Sequence, residues 1–292
     1  MPTKQNVWFI TGTSGGLGLH LVISALARGD HVVATVRHLA DFSLPDADKS
    51  RLHVIELDVT EGEESLKTKV EKAIAIWGRI DILVNNAGYV SKCMVEEGGS
   101  AAALAQFQVN FFGTLDVTNA VLPHMRSRKA GTIVFIGSRT VWHAHVPTAG
   151  FYIASKAAIH SISETLAAEL APFGIRVILA APGEFRTEGN NKAVYSMNHH
   201  VGDYDGVREL VHEKLKERFT QAKGDPAKAM DFLVDVVRGE GKAEGRPLPP
   251  RLLLGAPTYE AARAYCERLT ESMDAWEDVA TSLDFDEKLS AL

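Results

Sequence analysis

Short apolar runs alternate with longer stretches of helical periodicity along this chain. Val7–Ile10, His31–Val36, Leu52–Glu56, Ile82–Val84, Thr132–Ile136, Arg176–Ala180 and Arg251–Leu254 are dominated by Val, Ile and Leu. Runs of that length and composition predict strands buried on both faces, as in a parallel sheet covered by helices. Between them, residues 17–28, 63–77, 102–127, 152–171, 226–238 and 258–276 carry apolar positions at helical spacing. Strand and helix in alternation imply right-handed crossovers. The prediction is an α/β fold: a doubly wound parallel sheet of about seven strands, helices on both faces, in a single domain over 1–292.

One segment breaks the rhythm. From Thr187 to Asp225 the chain is polar, with Gly189-Asn190-Asn191 and Gly202-Asp203-Tyr204-Asp205-Gly206. It follows the sixth predicted strand and so belongs at the carboxyl edge of the sheet, where ligands bind in such folds. A substrate lid over 187–225 is the functional reading, and a surface insertion without a role is the alternative. Gly239 to Pro250 is a second loop, rich in Gly and Pro. Residues 257–292 form a C-terminal helical extension, whose Tyr259, Tyr265, Leu269, Met273 and Trp276 stand at helical spacing. Such a stripe predicts core or subunit packing rather than a ligand box. The acidic end, Asp284 to Glu287, reads as solvated.

Composition narrows the function classes. The 292 residues are 46% hydrophobic and 23% charged, ordinary for a soluble globular protein. A formal net charge of −6 argues against nucleic-acid binding, which needs a basic face. No apolar run reaches the roughly 20 residues needed to cross a bilayer, and Met1 to Asn6 leaves no room for a signal peptide before the first strand. Cys93 and Cys266 lack metal-ligand spacing and read as reduced thiols, and His199-His200 as a solvated doublet, so no metal is expected. A cytoplasmic location follows as the expectation.

Two patterns carry chemistry. The first predicted strand leads into Thr11-Gly12-Thr13-Ser14-Gly15-Gly16-Leu17-Gly18 and then into a helix. Strand, glycine turn and helix together make a Rossmann-like nucleotide cradle. Gly12 permits the tight turn, Gly16 lets a pyrophosphate approach the backbone, and Gly18 lets the helix pack close to the strand. The helix N–H groups and its positive dipole end would face the phosphates. The second pattern is Tyr152 and Lys156, four residues apart, with Ser138 fourteen positions upstream. On a helix, i and i+4 share a face. A neighbouring cation lowers a tyrosine pKa from its usual value of about 10, fitting the phenol for general acid–base work.

Taken together, these residues resemble the short-chain dehydrogenase/reductase family. Its TGxxxGxG motif is matched by Thr11 to Gly18 and its NNAG motif by Asn85-Asn86-Ala87-Gly88. Its helix asparagine is matched by Asn110, its catalytic serine by Ser138 and its YxxxK motif by Tyr152 to Lys156. Its proline-glycine pair followed by threonine is matched by Pro182-Gly183-Glu184-Phe185-Arg186-Thr187. The resemblance is strong over residues 5 to 188 and weaker to about 255. It implies that Ser138 donates a hydrogen bond to the substrate oxygen and that Tyr152 gives or takes its proton. It also implies that Lys156 binds the nicotinamide ribose while lowering the Tyr152 pKa, and that Asn110 holds a water linking Lys156 to solvent. A helix-interior Asn bonding nearby backbone is the alternative for Asn110.

For the cofactor, the resemblance implies backbone contacts from Gly12, Thr13, Ser14, Gly16, Leu17 and Gly18, and from Asn86, Ala87 and Gly88 beside the adenosine. Asp58, followed by Val59, would accept from the adenine amino group; as an alternative it caps a helix beginning near Thr60. Pro182, Gly183, Phe185 and Thr187 would meet the nicotinamide, while Glu184 and Arg186 would pair on the surface. At the end of the second strand the family's acidic position is Val36, followed by Arg37. A guanidinium there suits a 2′-phosphate, so NADP(H) is expected over NAD(H), although Gly15 stands where some members carry a basic residue. Arg139, Trp142, His143 and Phe151 would line a substrate pocket of mixed character, suited to a mid-sized or large hydrophobic ketone or secondary alcohol. His145 would offer a further polar handle. The expected function is NADP(H)-dependent interconversion of ketone and alcohol in a homodimer or homotetramer. The alternatives are an isomerase, dehydratase or epimerase on the same fold, and a non-catalytic nucleotide sensor.

Overall fold

The computed structural model describes residues 5–187, 194–195 and 197–285. The centre is a seven-stranded sheet. In chain order the elements are β1 (Val7–Ile10), α1 (Gly16–Ala27), β2 (His31–Val36), β3 (Leu52–Glu56), α2 (Glu63–Trp77) and β4 (Ile82–Asn85). There follow β5 (Ser91–Lys92), α3 (Val95–Phe107), a π-helical turn (Gln108–Gly113), α4 (Thr114–Arg128), β6 (Gly131–Ile136), a 3₁₀ turn (Arg139–Trp142), α5 (Gly150–Leu170) and β7 (Ile175–Pro182). The rest are β8 (Val194–Tyr195), α6 (Asp205–Thr220), α7 (Pro226–Arg238), β9 (Arg251–Leu254), α8 (Ala256–Asp274) and α9 (Glu277–Ala280).

The sheet order is β3-β2-β1-β4-β6-β7-β9, and every pairing is parallel. Alternate residues of each strand feed opposite faces. Trp8, Ile10, Val32, Val84, Val134 and Ile178 pack with α1 and α7, whereas Phe9, Val33, Leu83, Phe135 and Leu179 pack with α2, α4 and α5. Both faces are thus closed, which is why the strands read as unbroken apolar runs. The order reverses direction between β1 and β4, so the loops leaving their carboxyl ends part and open a crevice.

Each sheet strand of the apolar pattern is present, and β4 runs one residue further, to Asn85. The stretch 102–127 is not one helix. Helical structure begins earlier, at Val95, breaks at Gly99 (φ +54°), and is interrupted again by the π-helical turn, with Gly113 lying so close to the loop after β3 that a Cβ would sit 2.7 Å from Val59 Cγ2. The polar stretch expected to be a lid contains α6 and the strand β8, which pairs with β5; residues 188–193 and 196 lie outside the described residues. Along α8 and just beyond it the apolar stripe does not enter the core: Tyr259, Tyr265, Leu269, Met273 and Trp276 are all exposed. Residues 286–292, which include part of the acidic end, lie outside the described residues.

Candidate active site

Four loops at the carboxyl edge of the sheet converge, and the first two are interlocked. Thr11, at the end of β1, turns its Oγ1 to accept the N–H groups of Asn86 and Ala87, each at 3.0 Å. In return, Asn86 Nδ2 donates to the carbonyls of Thr11 (2.9 Å) and Gly12 (2.8 Å). Thr13 is buried and binds Thr35 O through both its N–H and its hydroxyl, each at 3.0 Å. The side chains of Thr13 and Asn86 therefore tie loop to loop, leaving the glycine backbone to face outward.

The glycines have specific reasons. Gly12 has φ +69°, and a Cβ there would sit 2.8 Å from Ala87 Cα. A Cβ on Gly18 would sit 2.6 Å from Asn86 Nδ2, so α1 can approach the loops only without one. No side chain caps α1, and its first turn carries no acidic residue. Its leading N–H groups and dipole are thus available to an anion. Ser14 is exposed beside them, Leu17 packs beneath, and Thr187 faces Gly16 from across the crevice. These features fit the pyrophosphate of a dinucleotide.

Around the cradle, Asp58 makes a local turn: its Oδ1 accepts from Thr60 N (2.9 Å) and Oγ1 (2.7 Å). Since α2 begins at Glu63, this turn does not cap a helix at Thr60. Val59 is buried against Gly113. Arg37 is exposed at the end of β2, close enough to Asp58 to help hold its carboxyl below the ordinary value. Gly183 must lack a Cβ because Thr258 Oγ1 of α8 would lie 2.8 Å from it. Phe185 sends its ring into the core and bridges Gly224.

The candidate reactive groups sit just beyond β6 and on α5. The Ser138 hydroxyl accepts from Thr140 N at 3.2 Å and shares a 2.8 Å hydrogen bond with Thr140 Oγ1. It also lies near enough to the Tyr152 phenol to pull its pKa down, against the larger push of burial. Lys156 is buried and donates from Nζ to Ile136 O at 2.7 Å. Burial drives its pKa down from 10.5 to about 8. For Tyr152, burial pushes the phenol up, outweighing the opposing pull of Ser138 and Arg139. This corrects the expectation that Lys156 makes the phenol acidic: the lysine's ammonium lies against a strand-end carbonyl and the loss of water dominates.

Asn110 is buried in the π-helical turn. Its Oδ1 accepts Tyr89 N and its Nδ2 donates to Tyr89 O, each at 3.0 Å, and to Ser155 Oγ at 3.1 Å. The amide is a clasp on the loop after β4. The backbone it bonds also belongs to that loop rather than to neighbours on its own helix. Gln106 grips the same loop through Ser91 N and Tyr89 O. Asn110 Oδ1 and Lys156 Nζ both flank Gly88, where a Cβ would lie 3.1 and 3.7 Å from them.

The pocket residues divide. Trp142 is half-buried with its ring edge-on to His160, and Phe151 packs against Gly98 of α3. The His143 and His145 rings meet at a tilt, with centroids 4.0 Å apart. Arg139 departs from expectation: it is buried in an ion pair with Glu184 rather than lining an open pocket. Glu184 and Arg186 do not pair together, since Arg186 donates to Ala222 O at 3.2 Å. Thr140, Gln106, His160 and Glu184 also belong to the site's framework. Nothing in their spacing marks them: Gln106, His160 and Glu184 act across segments distant in sequence, and Thr140 acts through the local turn after β6. Among the described residues, no cluster of metal-ligating side chains occurs and no helix is long and apolar enough to cross a membrane.

A parallel sheet opening over an uncapped glycine cradle, with Ser, Tyr and Lys at its edge, defines a nucleotide-dependent oxidoreductase of Rossmann type. A profile of the short chain dehydrogenases matches residues 6–197. A short-chain dehydrogenase from Streptomyces avermitilis superposes with a TM-score of 0.81 at 32% identity, covering 97% of this chain and 99% of that one. A second one, from Burkholderia cenocepacia in complex with NADP, superposes with a TM-score of 0.70 at 26% identity, covering 94% and 98%. The 3-ketodihydrosphingosine reductase of Bacteroides thetaiotaomicron is 34% identical over 207 residues, 70% of this chain and 71% of its own length. The chain belongs to the short-chain dehydrogenase/reductase family and is an oxidoreductase.

Proposed function

We propose that this protein reduces a ketone to a secondary alcohol using NADPH. The observation that carries the reading is the meeting of Ser138, Tyr152 and Lys156 beside the glycine cradle. When bound there, the nicotinamide would supply the hydride. The protein's own residues handle the oxygen. With Thr140 Oγ1 able to donate to Ser138, the one serine proton can turn from the Tyr152 phenol to the substrate oxygen, where negative charge grows. Burial keeps the Tyr152 phenol protonated at neutral pH, the form that can give a proton to a nascent alkoxide. That state suits reduction better than oxidation. Lys156, buried beside Gly88, is placed to bind ribose hydroxyls and carry charge near the phenol.

Arg37 supports NADP(H): no carboxylate occupies Val36, and Glu56, its neighbour in register, is engaged on Leu39 N–H. The neighbour solved with NADP points the same way. The apolar surfaces of Trp142, Phe151 and Tyr89 favour a mid-sized or large hydrophobic ketone, the class to which the name of the 3-ketodihydrosphingosine reductase also belongs. The segment through α6 would cover this site, held to α3 by Arg208 on the buried Glu97. Exposed Leu104 and Phe112 beside Asn110 offer apolar surface for self-association.

The test is loss of NADPH absorbance against a panel of ketones, with Tyr152→Phe alongside. Removal of the proton donor should lower kcat by about 10²- to 10⁴-fold while NADPH affinity stays within a few-fold. Unchanged turnover in the variant, or activity confined to small sugars, would overturn the reading.

A further inference from the structure

His160 lies one helical turn beyond Lys156 on α5, outside every motif shared with the family. We propose that His160 is a positioning residue that sets the geometry of Ser138, with its Nε2 accepting the Ser138 main-chain N–H and its ring bracing Trp142. The inference rests on the reductase reading, in which Ser138 donates to the substrate oxygen.

The geometry is consistent at both ends of one short turn. The sheet passes Gly137 N–H to Ala180 O at 2.8 Å; the next N–H, that of Ser138, goes instead to His160 Nε2 at 3.2 Å. Ser138 is thereby held extended at φ −160° and ψ 143°, the conformation from which its hydroxyl meets Thr140 and Tyr152. At the far end of the Arg139–Trp142 turn, the indole meets the same imidazole edge-on, with centroids 5.1 Å apart. The imidazole enters where a side chain on residue 137 would otherwise be. A Cβ on Gly137 would lie 2.5 Å from Nε2. Accepting a hydrogen bond requires Nε2 to carry no proton, which places the ring proton on Nδ1. Burial, with Lys156 and Arg251 nearby, lowers the ring's pKa to about 4, so the acceptor persists at neutral pH.

Losing the acceptor frees Ser138 to shift, and small misplacements of a reacting group are costly in rate. The test compares His160→Leu and His160→Gln in the full chain, using NADPH and a ketone that the wild type reduces. Leucine should lower kcat about 10- to 100-fold with KM for NADPH within about twofold. Glutamine, whose amide oxygen can accept the Ser138 N–H, should recover most of that loss. A leucine variant with kcat within about twofold of wild type, or a glutamine variant no better than leucine, would overturn the proposal. Nitrogen NMR of the wild type reads the hydrogen bond without turnover. An unprotonated Nε2 is expected, and a protonated one overturns the proposal whatever the kinetics or the folding of the variants. Should the wild type reduce no ketone at all, the reductase reading fails while the nitrogen spectrum still decides the role of His160 in holding Ser138.

Discussion

Lys156→Met should make the protein more stable at neutral pH while abolishing turnover. Lys156 is 6% exposed, and burial lowers its pKa from 10.5 to about 8. The folded state therefore holds this proton less tightly than the unfolded chain, and stability rises with pH wherever the unfolded chain binds more protons. The penalty is absent above pH 10.5, grows as pH falls towards about 8, and is constant below that. The gap, at about 1.36 kcal/mol per pH unit, amounts to about 3 kcal/mol at pH 7. Methionine removes this cost but forfeits the hydrogen bond to Ile136 O, worth about 1 kcal/mol. The variant should thus gain about 2 kcal/mol at pH 7. Most of the wild type's penalty disappears by pH 10, so the gain should vanish there. Urea unfolding of both proteins at pH 7 and pH 10 measures this, because most other titrating groups cancel in the difference. A stability difference that stays constant within ~0.5 kcal/mol between the two pH values would refute the desolvated lysine and the account of the site built on it.

Three further substitutions probe the cofactor side. Arg37→Asp should shift the preference in kcat/KM from NADPH towards NADH, since a carboxylate suits a ribose hydroxyl and repels a phosphate; a wild type that already favours NADH would remove the basis for assigning NADP(H). Gly18→Ala puts a methyl group 2.6 Å from Asn86 Nδ2. It should lower Tm and weaken nucleotide binding together, as separate thermal melts and fluorescence titrations would show, whereas Gly15→Ala, where a Cβ meets nothing within 4 Å, should leave Tm nearly unchanged.

The sheet was legible because its strands are buried on both faces, so apolar content alone marked them. The candidate site residues stood out where a local spacing marks them: the glycines about β1 and the Tyr152–Lys156 pair one turn apart. Groups acting across loops were not. Asn110 reads as an isolated polar residue in a helix until the π-helical turn aims its amide at Tyr89. Arg139 looks like pocket lining until Glu184, from the loop after β7 far along the chain, claims it. The direction of the Tyr152 shift depends on solvent exclusion, a property of the packed molecule that residue order does not carry. The helix α6 was hidden for another reason: its sequence is polar on most faces and lacks the apolar stripe that betrays a core-facing helix.

The mutual grip of Thr11 and Asn86 has a consequence for how cofactor choice can diversify. It welds the phosphate cradle to the neighbouring loop, so that alteration of one partner disturbs both. Arg37 stands on the rim, outside that weld. On the role proposed for Arg37, nucleotide selectivity would be separable from the cradle's integrity: an interchangeable edge residue would discriminate between dinucleotides, while the part that grasps what they share stays intact.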